Sequence, residues 1–186
     1  MEADWEVEAG GDAPMIDAQW PGFVDLRLHP ERAWQLPEAA ELPALAEALA
    51  TLNDAASLVW TSKCDVWPVL EPDEFDPDEL DAPPGCAARA MGCYIDLLPR
   101  SDRLWAAPAL AASWCKGVCA RLRAVPLRSC RVDFVVRRAL ISPERMDFGI
   151  TAYLTACGPS AAEANRTLQA ALAAFAGALC GQSTLE

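Results

Sequence analysis

Lys63, Cys64 and Asp65 place a cation, a thiol and a carboxylate side by side within the stretch WTSKCDVWP. A cation beside a cysteine can lower the pKa of the thiol and make it a nucleophile. The same stretch also alternates apolar and polar residues, which is typical of a β-strand. Because successive residues of a strand point to opposite faces, a strand would bury Cys64 and turn both charged neighbours outward. We therefore expect a buried, inert thiol and a polar outer face.

The rest of the sequence offers little support for catalysis or metal binding. His29 is the only histidine, so a histidine-rich metal site is excluded. The eight cysteines include no C-x-x-C pair, and Cys115 and Cys119, which would share one helix face, lack an evident second pair of ligands. The chain contains no G-x-G-x-x-G, G-x-x-x-x-G-K-[ST] or G-x-S-x-G motif. We accordingly assign no catalytic residue, no metal and no cofactor.

Length and composition predict one domain spanning residues 1–186. The hydrophobic fraction of 53% is enough for a core, and no apolar run approaches the roughly 18–20 residues that cross a bilayer. The N-terminal MEADWEVE lacks the features of a signal peptide, so the cysteines are expected to be reduced thiols in a cytoplasmic protein. Residues 1–41 read as an irregular N-terminal segment with short strands, and residues 70–86 as an acidic, proline-rich connector.

The two halves of the chain carry opposite charge. Residues 1–88 hold 20 acidic and 3 basic side chains, a net of −17, and residues 89–186 hold 7 and 12, a net of +5, which together give −12. This acidic balance argues against nucleic-acid binding, which depends on neutralising phosphates. In one interpretation, an acidic half packs beside a basic half. In the other, the basic segment meets an acidic partner or a phosphate-bearing ligand.

Hydrophobic periodicity predicts an antiparallel sheet with helices packed on one face, a ferredoxin-like α+β sandwich. Short strands are predicted at DWEVE and GFVDLRL, and a helix at PALAEALATLN. Longer strands are predicted over 57–67, 88–98, 130–141 and 147–157, and helices over 104–125 and 160–180. The last helix would open with a capping box from Ser160 to Glu163. Because the order β-β-α occurs twice, a doubled β-β-α unit is one interpretation of this fold.

Strand parity gives each long strand one apolar and one polar face. The first strand would turn Trp60, Cys64 and Val66 inward and Thr61 outward. Ten outward residues form the candidate ligand or interface site: Lys63, Asp65, Trp67, Tyr94, Asp96, Arg131, Asp133, Arg137, Thr151 and Tyr153. Arginines could clamp an anion there, and tyrosine hydroxyls could position it. The three aspartates are expected to have depressed pKa values beside the arginines, which would make them poor bases at neutral pH.

This polar face has three possible uses: a solvated surface with cross-strand ion pairs, a protein interface, or a site for an anionic small molecule. The function predicted from the sequence is non-catalytic binding or assembly through the polar sheet face. The partner would be a second copy in a homodimer or another protein, with no nucleic acid and no membrane. The alternative is a small enzyme or ligand-binding domain that uses the same face for an anionic small molecule.

Overall fold

The computed structural model describes residues 1–70 and 75–180, in which one layer of helices covers one face of a sheet. The strands are β1 (Glu2–Glu8), β2 (Ile16–Asp17), β3 (Val59–Val69), β4 (Arg89–Pro99), β5 (Cys130–Ser142) and β6 (Arg145–Gly158). The helices are α1 (Pro37–Glu41), α2 (Pro43–Asn53), α3 (Pro108–Arg123) and α4 (Ala161–Cys180), with a 3₁₀ turn at Pro30–Gln35. The protein therefore has an α+β architecture.

The sheet is mixed, so the expectation of a wholly antiparallel sheet is wrong. Its strand order is β1-β5-β6-β4-β3. The four long strands pair antiparallel: β3 with β4, β4 with β6, and β6 with β5. β1 instead runs parallel to β5, and β2 pairs parallel with β5 further along the same edge. Parallel pairing is possible because a long connection separates β1 and β2 from β5 in the chain.

The helices cover the sheet side by side. α3 lies on β1 and β5, α4 lies on β6 and β4, and α2 packs against α4. Phe134 of β5 and Phe175 of α4 stack with ring centroids 6.0 Å apart in the core between the layers. Half of the predicted capping box is present: the Glu163 amide donates a hydrogen bond to Ser160 Oγ at 3.3 Å, and the Ser160 hydroxyl donates to the Glu163 carboxylate at 3.3 Å. We call the side of the sheet opposite these helices the open face.

Two predicted segments differ from the structure or lie partly outside its described residues. GFVDLRL does not form the predicted strand, because the Asp25 carboxylate accepts hydrogen bonds from both the amide and the guanidinium of Arg27 and bends the chain. Within the predicted connector, residues 71–74 lie outside the described part of the chain. Its remainder forms turns, one of which buries Leu80 to 2% exposure.

Candidate functional site

A β-bulge in β3 decides which of its side chains reach the open face. Thr61 pairs with Leu97 and Cys64 pairs with Ile95, so β3 has one residue more than β4 between these two positions. The extra residue shifts the alternation. Thr61 consequently points to the helices, where its amide and hydroxyl bond to the buried side chain of Asn53. The prediction that Trp60 points to the helices and Thr61 to the open face is therefore wrong, because each side chain lies on the other face.

Beyond the bulge, Cys64 and Val66 pack against the core under the helices. Lys63, Asp65 and Trp67 occupy the alternate positions, on the open face. Burial raises the pKa of the Cys64 thiol to about 12, and the nearby carboxylates act in the same direction. Lys63 does not offset this effect. The WTSKCDVWP stretch thus contains a poorly nucleophilic thiol and two charged side chains on the other face.

Six of the ten candidate residues line one cleft on the open face. The cleft has a volume of ≈ 190 Å³, and its six candidate residues are Lys63, Tyr94, Asp96, Arg137, Thr151 and Tyr153. Pro14, Met15 and Ile16 complete its wall. Arg131 and Asp133 line a second cleft of ≈ 250 Å³ beside β1, and Asp65 and Trp67 stand on β3 outside both.

The segment that forms this wall crosses the open face, and the sequence interpretation did not include Pro14, Met15 or Ile16 among the site residues. Ile16 pairs with Ala139 of β5, while Ser62 of β3 donates its hydroxyl to the carbonyl of Ala18 at 3.2 Å. The crossing segment buries a second apolar cluster on the open face: Ile16, Ala18, Trp60, Leu98, Ala139 and Ile141, with Phe23 beside it. The sequence did contain one signal, since Gly149 interrupts β6 where Ile16 approaches closely.

The described part of the connector, residues 75–86, covers the other end of the open face. Leu80 packs on Ala90 of β4 and Cys157 of β6, and Phe75 and Ala82 extend this third apolar cluster. Arg131 bonds Glu79 of the connector at 3.2 Å. Between the crossing segment and the connector runs a half-buried band that we call the central strip, with a floor of Trp67, Tyr94, Asp96, Arg137, Thr151 and Tyr153.

A row of side chains traverses the central strip from one edge of the sheet to the other. The rings of Trp67 and Tyr94 lie 6.2 Å apart, and those of Tyr94 and Tyr153 are also 6.2 Å apart. Arg137 donates to the Tyr153 hydroxyl at 3.1 Å and pairs with Glu8 at 3.0 Å. Gly92 makes room for this row, because a Cβ there would lie 2.5 Å from the Trp67 indole.

Asp96 is the buried acid at the floor of the strip. It is 6% exposed and accepts a 2.7 Å hydrogen bond from the Thr151 hydroxyl. Desolvation raises its pKa more than the Thr151 hydrogen bond and the charges of Lys63 and Arg137 lower it. The pKa of Asp133 is raised for the same reason despite its bond to Arg131. The expected depression of these two pKa values is therefore wrong, because burial outweighs the neighbouring cations.

The charged halves of the chain meet in ion pairs. Arg128 pairs with Asp81 at 2.8 Å, and Arg131 reaches Glu79, as Arg137 reaches Glu8. Each joins an acid from the first half to an arginine from the second, which agrees with the internal interpretation of the charge asymmetry. Lys63 makes no ion pair or hydrogen bond to any residue in 1–70 or 75–180; its Nζ lies 5.2 Å from the ring centre of Trp20.

Little in the described ranges points to metal or histidine chemistry. His29 is exposed and contacts Glu31 on the surface. Across residues 1–70 and 75–180, no group of three or more His, Cys, Asp or Glu side chains could hold a metal ion. The arrangement can instead stack apolar or cationic groups on aromatic rings and bond polar groups in the cleft.

Comparison of the chain with protein-family models, with curated proteins and with solved structures found no match. No helix in the described part of the chain is long and apolar enough to cross a bilayer.

Proposed function

We propose that this protein is a non-catalytic binding protein that holds a segment of a protein partner in the central strip. The transverse row of Trp67, Tyr94, Tyr153 and Arg137 carries this proposal. Tryptophan, tyrosine and arginine are the residue types that dominate binding energy at protein interfaces. Here they stand together in a half-buried band between two covered ends of the sheet.

The width of the sheet sets the size of the partner segment. Five strands at about 4.8 Å spacing make the sheet roughly 19 Å wide, which matches about six residues of extended chain at about 3.3 Å each. A second copy docking its own open face flat on this one would first meet the crossing segment and the connector, which stand on the sheet at both ends. A narrow segment avoids that obstruction, so it fits better than a face-to-face homodimer.

The charged side chains near the strip that have no ion partner favour a basic partner segment. Arg131 and Arg137 are already paired with acids of this chain. Of the other charged groups near the strip, Glu6, Asp65 and Asp96 form no ion pair with any described residue, and only Lys63 opposes them. Lysine or arginine side chains of a partner could pair with these acids and stack on Trp67 or Tyr94.

Titration calorimetry with two synthetic peptides tests this function. An acetylated hexapeptide of alternating leucine and lysine should bind, and the matched leucine–glutamate peptide should not. Trp67→Ala should weaken binding by about tenfold or more, as truncation of an interface tryptophan commonly does. Trp34→Ala is the matched control, because Trp34 is 52% exposed on the 3₁₀ turn, away from the strip. Equal binding of both peptides, or equal loss in both variants, would refute the proposal.

A second candidate function is favoured by the cleft itself. Asp96 and Thr151 are both more than nine-tenths buried, yet they line an opening that is also lined by Lys63, which has no ion partner among the described residues. Buried polar groups that converge in a cleft are typical of ligand sites. The alternative proposal is therefore a ligand-binding domain or small enzyme for a charged small molecule, such as the anion expected from the sequence.

Three finer expectations also remain proposals. A ferredoxin-like relationship is supported by the single helix layer on the sheet. A cytoplasmic location is supported by the free state of all eight cysteines. Homodimerisation would have to use a surface other than the covered ends of the open face.

A further inference from the structure

The cleft in the central strip holds two opposite charges whose bonding capacity is not used up. Asp96 accepts a single hydrogen bond, from Thr151, among the described residues, so one carboxylate oxygen can still accept. Lys63 has three N–H donors and forms no hydrogen bond or ion pair in the same range, and its Nζ lies 5.2 Å from the ring centre of Trp20. The hydroxyl of Tyr94 likewise has no hydrogen bond to residues 1–70 or 75–180.

Charge balance separates the possible ligands. Lys63 and Arg137 line the cleft with two positive charges, and Asp96 together with Glu8, the ion partner of Arg137, offsets them. A simple anion would meet Lys63 but also the buried carboxylate of Asp96. A simple cation would meet Asp96 but also Lys63. A ligand that carries both charges can satisfy both groups and leave the balance unchanged.

We propose that the cleft binds a small zwitterion, a free amino acid or a similar amino-carboxylate, with its carboxylate on Lys63 and its ammonium on Asp96. This inference rests on the second candidate function, that the cleft is a ligand site. Tyr94 adds a hydroxyl donor for the carboxylate, and the faces of Tyr94 and Tyr153 favour an ammonium group beside Asp96.

The size of the cleft limits the ligand to a small one. Its volume is ≈ 190 Å³. Sites for drug-sized molecules and cofactors usually have volumes of about 300–1,000 Å³. The cleft is therefore better matched in size to an amino acid with a short aliphatic side chain than to a nucleotide or a dinucleotide.

The two tyrosines of the chain, Tyr94 and Tyr153, both line the cleft, so ¹⁹F NMR of 3-fluorotyrosine-labelled protein reports on it with two signals. The probes are valine, isovalerate, which lacks the amino group, and isobutylamine, which lacks the carboxylate. Valine should shift both signals saturably, and the two truncated probes should bind at least about tenfold more weakly. Lys63→Met and Asp96→Asn should each weaken valine binding by about tenfold or more, because each removes a charged hydrogen-bond partner.

Asp65→Asn is the matched control, since Asp65 is an exposed neighbour of Lys63 that does not line the cleft. Urea unfolding midpoints of all three variants separate a binding defect from a folding defect. If isovalerate binds as tightly as valine, the zwitterion inference is overturned while the cleft remains an anion site. If no probe shifts either signal in folded protein, the inference and the second candidate function both fail. Equal weakening by Asp65→Asn would also contradict the assignment.

Discussion

Gly149→Ala tests whether the crossing segment packs on the open face as described. A Cβ at Gly149 would lie 2.8 Å from Cδ1 of Ile16, 3.0 Å from Cδ2 of Leu98 and 3.1 Å from the carbonyl oxygen of Leu97. Ile16 and Leu98 are 4% and 0% exposed, so neither can move into solvent without opening the apolar cluster. Overpacking of this kind costs about 1–3 kcal/mol.

The reduced freedom of alanine in the unfolded chain offsets about 0.4–1 kcal/mol of that cost. We therefore expect Gly149→Ala to lower the free energy of unfolding by roughly 1–2 kcal/mol. For a chain of this length the melting temperature would fall by about 2–8 °C. Gly92→Ala is the matched control. Its Cβ would lie 2.5 Å from the Trp67 indole, but that half-exposed ring can swing outward, so the change should stay within about 1 kcal/mol.

Urea unfolding followed by circular dichroism measures both variants. Ile16→Val removes Cδ1, the atom nearest to the new Cβ, and should recover part of the loss when combined with Gly149→Ala. If Gly149→Ala is neutral, or if Ile16→Val gives no recovery, Ile16 does not lie over β6 and the wall of the cleft is misplaced.

Three further predictions concern the buried polar groups. Asn53→Ala should lower the unfolding free energy by about 1–3 kcal/mol in urea titrations, because it leaves the buried Thr61 amide and hydroxyl without their partner. An unchanged free energy of unfolding would contradict these two hydrogen bonds. Folding raises the pKa of Asp96 above 3.8, so the folded protein is more stable when Asp96 is protonated. This stabilisation is present at low pH and is lost as the pH rises through the pKa of Asp96 in the folded protein. Asp96→Asn should hence melt higher than the wild type near pH 7 and lose that advantage below about pH 4; an advantage independent of pH would contradict this. Cys64 should alkylate more slowly than a free thiol at pH 8, because burial raises its pKa to about 12; fast labelling, located by mass spectrometry, would contradict this.

The sequence predicted what depends on local periodicity. The alternation in β4, β5 and β6 correctly placed Cys93, Phe134 and Leu154 under the helices. The Ser160 cap of α4 and the absence of an activating environment for Cys64 followed from short-range patterns. These features depend on residues within one element, where a period of two or 3.6 is visible in the chain.

What the sequence could not predict depends on contacts between distant segments. The bulge in β3 exchanges the faces of Trp60 and Thr61, and its trace in the sequence, polar Ser62 at a position of the apolar parity, does not by itself identify an inserted residue. Parallel pairing of β1 with β5 joins positions more than 120 residues apart. The raised pKa of Asp96 arises from burial beside the crossing segment, whose path over the sheet the sequence marks only indirectly, through Gly149 of β6.

The most direct test of binding at the central strip is a ¹⁹F NMR titration of the 3-fluorotyrosine-labelled protein with the leucine–lysine hexapeptide. The chain has two tyrosines, Tyr94 and Tyr153, and both lie in the transverse row. We expect the peptide to shift both signals saturably in the wild type and to lose that effect in Trp67→Ala, with Trp34→Ala unchanged. Saturable peptide binding that leaves both tyrosine signals unmoved would place the binding surface elsewhere and contradict the account.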